Sequence, residues 1–333
     1  MSDLTPADPA VDVTIAVVNW NGARWLPACL ESLRTVRGLR VELFVVDNAS
    51  TDDSVKVVRE GFADARLLVN AENLGFARAN NQAIRLGRGR YFFLLNNDTV
   101  LRDGCLECLV RFLDESPRAG MAAGRLENPD GSVQFEYYPV ALPSLASLTA
   151  DLLWLNRIWP RANLGRGRLA RQWDPTQLSR MEQLPGACTI IRREVIENVG
   201  LLDEGYDFWY EDVDFCHRAL KASWELWYVP EARILHYGGA SSGLLDVATR
   251  SLLRFRSMMR YAWKCYSPGR LMALRMILAM VLLMRLPVVV AAGAWPAEKT
   301  RRAWIGAWKA YLKLLGEVVL SPDLHAPMRR PGA

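Results

Sequence analysis

Four short runs of β-favouring residues, each closed or followed by Asn or Asp and each leading into a helical pattern, constrain this chain more than any other feature. They are VTIAVVNW (13–20), VELFVVD (41–47), RLLV (66–69) and YFFLLN (91–96). The helical patterns lie at 23–36, 52–61, 75–87 and 103–115, and a short apolar run, AGMAAG, follows at 119–124. Such alternation builds a mostly parallel sheet with crossover helices on both faces, an α/β fold. In open sheets of this kind the ligand crevice lies beyond the carboxyl ends of the strands. The polar residues that follow each run are therefore the first functional candidates. Neither G-x-G-x-x-G nor G-x-x-x-x-G-K-[ST] follows any of them, which argues against dehydrogenase and P-loop chemistry.

The rhythm breaks at 140–182, where four prolines flank or interrupt a Trp-rich, Gly/Arg-rich stretch; this reads as an insertion or mobile loop region. A buried strand running into a helix returns at 186–200, a second helix begins near Glu211, and ELWYV (225–229) reads as another strand. Beyond Leu245 the pattern is helical. Residues 1–10 read as a disordered N-terminus, without a signal-peptide pattern. The six cysteines include only a lone C-x-x-C, Cys105 and Cys108, inside an apolar stretch. Together these point to a reduced, cytoplasmic protein.

Charge divides the chain in two. Residues 1–245 carry 26 basic against 32 acidic side chains, and residues 246–333 carry 15 against 4. A basic segment that is also rich in Leu, Met, Val and Trp suits an anionic membrane surface better than nucleic acid, and no nucleic-acid partner is expected.

Four places carry chemistry of their own. Asp47 closes an apolar strand, where its carboxylate can accept from a base N–H or a ribose hydroxyl, or can serve as an Asx-turn acceptor; Ser50 and Asp52 are better placed for the cap. Asn96-Asn97-Asp98 ends the strand YFFLLN, and sets either a turn or a hard oxygen ligand for Mg²⁺ or Mn²⁺ at the sheet rim. In WYEDVDFCHR (209–218) the carboxylates Glu211, Asp212 and Asp214 crowd among aromatic residues, an arrangement that repels itself unless something cationic or catalytic compensates. Helix-dipole compensation and an i,i+4 pair between Asp214 and Arg218 account for Asp214 well and for Asp212 poorly. His236, before a glycine-containing stretch, reads as a structural histidine or as a ligand completing a metal shell with Asp98.

In order along the chain, Asn19-Trp20-Asn21-Gly22, VVDNASTDDS (45–54), NLGFARANN (73–81), LNNDT (95–99), PGACTIIRREVIENVGLLDE (185–204), WYEDVDF (209–215) and His236 resemble glycosyltransferase family 2, and within it the bacterial rhamnosyltransferase-like branch. The resemblance covers about residues 11–265. It implies a GT-A fold over 11–245; charge and helical pattern read 246–333 as a basic, amphipathic helical region. It also implies a metal-dependent, inverting transfer of a sugar, with L-rhamnose a candidate, from a UDP- or dTDP-sugar to a glycan or lipid-linked glycan acceptor in cell-envelope synthesis.

Carried onto this chain, the resemblance makes Asp47 the base-binding carboxylate, with Asn19, Asn48, Asn96 and Asn97 around the donor. In NLGFARANN, Gly75 allows close backbone approach to the donor, and Arg78 reads as a phosphate contact or as a solvated helix residue. Asp98 and His236 become metal ligands and Asp212 the catalytic base. Trp209 reads as an acceptor contact or as a core aromatic, and Glu211 as an acceptor contact. The first position of the Asp-x-Asp motif is Asn96 here, so Asp98 is the firmer ligand. A sugar-1-phosphate nucleotidyltransferase would need a basic, glycine-rich loop where only Gly22 and Arg24 stand. A processive synthase would need Q-x-x-R-W where Arg171-Gln172-Trp173 stands. The alternative from a different class is a non-catalytic, membrane-associated scaffold.

The segment 271–295 is apolar but interrupted by arginines. At about 100° per residue Arg270, Arg275 and Arg285 share one arc, so the segment reads as a helix lying in the interface, with packing against the catalytic domain and a true span as alternatives. The protein is thus expected at the inner face of the bacterial cytoplasmic membrane, as a peripheral protein.

Overall fold

The computed structural model describes residues 4–138, 141–153, 155, 173–206, 208–239, 245–293 and 316. The chain forms two compact units. The first comprises residues 1–142, 172–204 and 211–241, and the second residues 143–171, 205–210 and 242–333.

The first unit is built on one sheet of nine strands among the described residues: β1 (Val13–Asn19), β2 (Val41–Asp47), β3 (Arg66–Val69), β4 (Tyr91–Asn96), β5 (Thr99–Leu101), β6 (Ala119–Glu127), β7 (Ser179–Met181), β8 (Cys188–Arg192) and β9 (Glu225–His236). Their order is β3-β2-β1-β4-β8-β6-β9-β5, with β7 also paired to β9. The run β3-β2-β1-β4 is parallel throughout. Its inner strands β1 and β4 are almost entirely buried, which explains their unbroken Val/Ile/Phe/Leu composition. Strand β8 enters antiparallel between β4 and β6, β6 runs parallel to β9, and β5 and β7 pair with β9 antiparallel. The sheet is thus mostly parallel, as expected, with antiparallel strands toward one side.

Helices α1 (Leu26–Leu33), α2 (Ser54–Gly61), α3 (Phe76–Leu86) and α4 (Cys105–Glu115) form the crossovers, and α6 (Arg193–Val199) and α7 (Glu211–Lys221) follow later in the chain. α1 is shorter than the apolar pattern at 23–36 predicts, because Pro27 favours a start there. AGMAAG proves to be the beginning of the long buried strand β6.

Two expectations are corrected. Residues 4–10, read as disordered, are tied to the sheet's helices and loops: Thr5 donates to the Arg85 carbonyl from its N–H and its hydroxyl, Asp8 donates to the Arg88 carbonyl, and the Arg193 guanidinium donates to the Thr5 carbonyl. A buried arginine collecting main-chain carbonyls leaves no pattern in the N-terminal sequence itself. Within 140–182, residues 140, 154 and 156–172 lie outside the described residues. At its two ends the region is regular, with helix α5 (Leu145–Leu152), closed by a Ser144–Ser147 capping box, and strand β7.

The second unit is helical in its described part: α5, α8 (Val247–Cys265) and α9 (Pro268–Gly293). Leu148, Leu152, Leu252, Met258, Met259, Ala262, Leu274, Leu278, Val281 and Leu282 form its core. The inner face of α9 therefore packs on α5 and α8. The outer face carries Met272, Met276, Met280, Leu283 and Met284, each between 47% and 64% exposed. The expectation of one arginine arc opposite one apolar face is corrected to two apolar faces, with Arg270 exposed and Arg275 partly buried. The side chain of Arg285 and residues 294–295 lie outside the described residues. No helix among the described residues is long and apolar enough to cross a membrane.

Candidate active site

Strand register assembles the site. The parallel pairing of β1 with β2 sets Asn19 opposite Asp47, and that of β1 with β4 sets Val18 opposite Asn96, so the polar ends of three strands open onto one edge. There Asn19 donates from its amide nitrogen to Asp47 Oδ2 (2.9 Å) and Ser50 Oγ (3.1 Å), and its amide oxygen accepts from Asn97 Nδ2 (2.6 Å). Gly22 packs over this amide pair so closely that a Cβ would lie 2.0 Å from Asn97 Nδ2; only glycine fits. Asn21 and Ala49, both in the left-handed region (φ 51° and 61°), turn the two loops together, and Asn21 Oδ1 accepts from the Thr51 N–H at 2.7 Å.

Two expectations change here. Asn19 is wholly buried and has both amide hydrogens engaged, so it braces Asp47 and Asn97 rather than facing a ligand. Asp47 is not released from its turn by Ser50 and Asp52. Its Oδ1 accepts from the Ser50 N–H (2.9 Å), while Asp52 accepts from Ser54. A carboxylate offers about four lone-pair sites, and on Asp47 the bonds from Ser50 and Asn19 use two of them.

The same edge continues through α3. Asn48 donates to the Gly75 carbonyl (3.2 Å) and accepts from Asn70 (2.9 Å), which sets Gly75, at φ 84°, as the residue before α3. Arg78, on the first turn of α3, lies 3.8 Å from Glu204, which also holds Arg85 at 2.8 Å. Its guanidinium is therefore steered toward Glu204. Next to α3 stands Gly186, where a Cβ would come within 3.3 Å of Phe76 and 3.4 Å of Asp212. Its N–H donates to Asp212 Oδ2 (3.0 Å), and the carbonyl of Ala187 accepts from the N–H of Asn96 (2.9 Å). The catalytic candidate Asp212 is thus hydrogen-bonded to the loop that closes on the end of β4.

Asp98 and His236 meet through the antiparallel pairing of β5 with β9, which sets Thr99 opposite His236; the N–H of Tyr237 donates to the Asp98 carbonyl (2.9 Å). Both side chains are buried, and His236 Nε2 lies 3.4 Å from Asp98 Oδ1. The other ring nitrogen, Nδ1, lies 2.7 Å from Gln134 Oε1, and the Tyr137 ring stands edge-on to the imidazole at 4.8 Å. An imidazole nitrogen and a carboxylate oxygen converging from two strands are the donor set of a divalent cation that takes its remaining ligands from phosphate oxygens and water. No group of three or more His, Cys, Asp or Glu side chains suited to a metal occurs among the described residues.

The acidic helix start behaves as its crowding predicts. Burial, with the adjacent charge of Asp212, pushes the Glu211 carboxyl up to about 8. Burial also raises Asp212, while the N–H groups of Gly186 and Val213 pull it down. A carboxylate with raised proton affinity is a better general base near neutral pH. Asp214 pairs with Arg218 at 2.8 Å, as the i,i+4 spacing predicts. Trp209 belongs to the second unit, at φ 63° and edge-on to Phe208 at 4.4 Å; Tyr210, at φ 68°, follows. Two successive bulky residues in the left-handed region, directly before Glu211, mark a strained approach to the helix.

Gln134 and Gly186 escape sequence reasoning. Gln134 lies outside every strand-end cluster, and its partnership with His236 is purely tertiary; Gly186 carries no side chain to read.

Glu211 yields a stability prediction. The unfolded side chain ionises near its ordinary value and the folded one only near about 8. Between these pH values the unfolded state sheds a proton that the folded state keeps, and stability falls as pH rises. Glu211→Gln removes that loss. Thermal melts between about pH 5 and about pH 8 will show a Tm advantage of the variant that grows with pH, reaching roughly 2–4 °C for each ~1 kcal/mol recovered; a difference independent of pH would contradict the assignment.

Comparison with known proteins agrees with this geometry. Residues 14–200 match the family model described as Glycosyl transferase family 2. Over 242 residues the chain is 30% identical to the N-acetylglucosaminyl-diphospho-decaprenol L-rhamnosyltransferase of two Mycobacterium tuberculosis strains, covering 69% of this chain and 77% of the relative. Among solved structures it is similar to the mannosyltransferase PcManGT of Pyrobaculum calidifontis in complex with GDP-Man and Mn²⁺ (TM-score 0.53, 18% identity, 94% of this chain and 90% of that one). It is also similar to GalNAc-T7 with UDP, GalNAc and Mn²⁺ (TM-score 0.53, 15% identity, 77% of this chain and 48% of that one). At such identities these structures speak to the GT-A fold alone. The chain belongs to glycosyltransferase family 2, in its rhamnosyltransferase-like branch.

Proposed function

We propose that this glycosyltransferase moves a sugar, with L-rhamnose the first candidate, from a nucleoside-diphosphate donor (UDP or dTDP) to a hydroxyl of a glycan carried on a lipid diphosphate. The observation that carries the donor class is the convergence of Asp98 and His236 beside the strand ends that hold Asp47. The sugar and acceptor follow from the mycobacterial relative, whose name specifies L-rhamnose and an N-acetylglucosaminyl-diphospho-decaprenol.

In this reading Asp47 receives the base or ribose of the donor, and Asn48 and Gly75 shape the loop beside it. Asn96, partly exposed at the end of β4, faces the diphosphate. Asp98 and His236 would hold Mn²⁺ or Mg²⁺, which when bound neutralises charge on the departing nucleoside diphosphate. Asp212, fixed by the Gly186 N–H, accepts the proton of the acceptor hydroxyl as its oxygen bonds to the anomeric carbon. The bond from that carbon to the diphosphate oxygen breaks on the opposite face, and the configuration inverts. Glu211, held neutral by burial near pH 7, leaves Asp212 as the ionised partner of the pair. Trp209 is assigned to the acceptor sugar, whose ring presents an apolar face to an aromatic side chain.

Purified protein assayed against UDP-, dTDP- and GDP-sugars with Mn²⁺ or Mg²⁺ tests the donor. In the same assay Asp212→Asn is expected to keep its fold and donor affinity while turnover falls by roughly two orders of magnitude or more. Retention of more than about a tenth of wild-type turnover would remove Asp212 from the base role.

A lipid-linked acceptor brings the protein to the inner face of the cytoplasmic membrane. The outer face of α9 supports this reading. Its methionines and Leu283 are exposed, while residues 245–293 carry eight basic side chains and one acidic one, a combination that suits an anionic bilayer surface. Flotation of the full chain with vesicles of phosphatidylglycerol and phosphatidylcholine is expected. It should weaken at high salt and be lost in the double variant Met276→Glu/Met280→Glu. Equal flotation of both proteins would overturn the assignment of this face.

A further inference from the structure

Gln134 belongs to a hydrogen-bonded turn whose proton directions are determined at every link. The N–H of Asn128 bonds to the Ser132 carbonyl (2.8 Å), and the N–H of Gln134 to the Leu126 carbonyl (3.0 Å). The Ser132 hydroxyl donates to the Asp130 carboxylate at 2.6 Å, so its oxygen is left to accept from Asn128 Nδ2 at 2.9 Å. That turns Asn128 Oδ1 toward Gln134 Nε2, 2.8 Å away. The second hydrogen of Gln134 Nε2 goes to the main-chain carbonyl of His236 at 2.7 Å, a group that can only accept. Both amide hydrogens of Gln134 are thereby committed, and Oε1 is the atom that meets His236 Nδ1 at 2.7 Å. An amide oxygen cannot donate, so Nδ1 carries the hydrogen. In the neutral ring Nε2 then presents its lone pair, and what it faces at 3.4 Å is Asp98 Oδ1.

We propose that Gln134 is a positioning residue which keeps His236 ready for a cation by excluding the one ring tautomer that would let His236 bond to Asp98 directly. Without Gln134 the pair has a simple internal solution: the hydrogen moves to Nε2 and is donated to Asp98, and the two ligands satisfy each other. With Gln134 in place, the Nε2 of the neutral ring presents a lone pair beside the Asp98 carboxylate, an arrangement suited to a cation that both can bind. The buried carboxamide thus sets both the tautomer and the ring orientation, with the edge of Tyr137 closing the side of the ring. Outer partners of this kind typically contribute 10–100-fold to metal affinity. The inference rests on the cation site proposed above, and its test separates the two.

The first measurement needs neither metal nor activity. In ¹⁵N-histidine-labelled protein freed of metal with EDTA, at about pH 8, above the ordinary imidazole range, long-range ¹H–¹⁵N correlations distinguish a protonated ring nitrogen from an unprotonated one. His236 is separated from the other two histidines by the variants His217→Asn and His325→Asn. The expected spectrum has a protonated Nδ1 and an unprotonated Nε2; a protonated Nε2 would overturn the proposal whatever any variant does.

The second measurement is Mn²⁺ affinity in the presence of a nucleoside diphosphate, read from free Mn²⁺ by electron paramagnetic resonance. Gln134→Met, which keeps the side-chain length and loses the acceptor, is expected to shift the tautomer to Nε2–H and to weaken Mn²⁺ by roughly 10–100-fold. Gln134→Glu, which retains an acceptor at Nδ1, is expected to keep the wild-type tautomer. Equal spectra for the two variants would count against Gln134. If His236→Asn loses Mn²⁺ affinity and Gln134→Met does not, the positioning role alone fails; if His236→Asn binds as wild type does, the cation site itself fails.

Discussion

The pairing of Thr99 with His236 across two antiparallel strands fixes where this sheet can hold a divalent cation. Parallel strands alone would align Asn19, Asp47 and Asn96 at one edge and supply only oxygen and amide groups there. β5 is three residues long, yet it turns the chain directly after Asp98 and delivers that carboxylate to a histidine contributed by the last strand of the sheet. The parallel half thus gathers Asp47, Asn48 and Gly75 at one edge, and the antiparallel addition brings together Asp98 and His236, the ligands proposed for the cation. On the proposed reading, transfer needs both halves.

Burial governs the remaining chemistry. Glu211 and Asp212 are adjacent acids in the first turn of one helix, where the positive end of the helix favours both negative charges while loss of water disfavours them. The conflict is resolved unequally, since Asp212 accepts two main-chain N–H bonds and Glu211 is pushed toward its neutral form. Environments that split the proton affinities of neighbouring carboxyls commonly separate a base from a neutral partner. Gly186 is integral to this split because its N–H donates to Asp212 Oδ2, and a Cβ there would press against Phe76 at 3.3 Å.

Much of this was legible in the sequence, for identifiable reasons. The parallel strands announce themselves because burial on both faces demands continuous apolar runs, and their ends announce themselves because Asn and Asp interrupt those runs. Asp98, Asp212 and His236 stand out by residue type and by their order along the chain. What stayed hidden depends on tertiary pairing. AGMAAG gives no sign that it begins a nine-residue strand, since a strand buried among small residues has no alternation to read. Gln134 reveals itself only when folding brings it to His236. The anchoring of Thr5 by Arg193 and the two apolar faces of α9 likewise depend on what packs against them, which helical periodicity does not specify.

The central claim is that a divalent cation bound with the donor rests between Asp98 and His236. Crystals of the protein grown with Mn²⁺ and a nucleoside diphosphate, measured at a wavelength where manganese scatters anomalously, test it most directly. The account predicts one strong anomalous peak within bonding distance of an Asp98 carboxylate oxygen, of His236 Nε2 and of diphosphate oxygens. A manganese peak elsewhere on the diphosphate with Asp98 and His236 still in contact with each other, or a bound nucleotide with no peak at all, would contradict it.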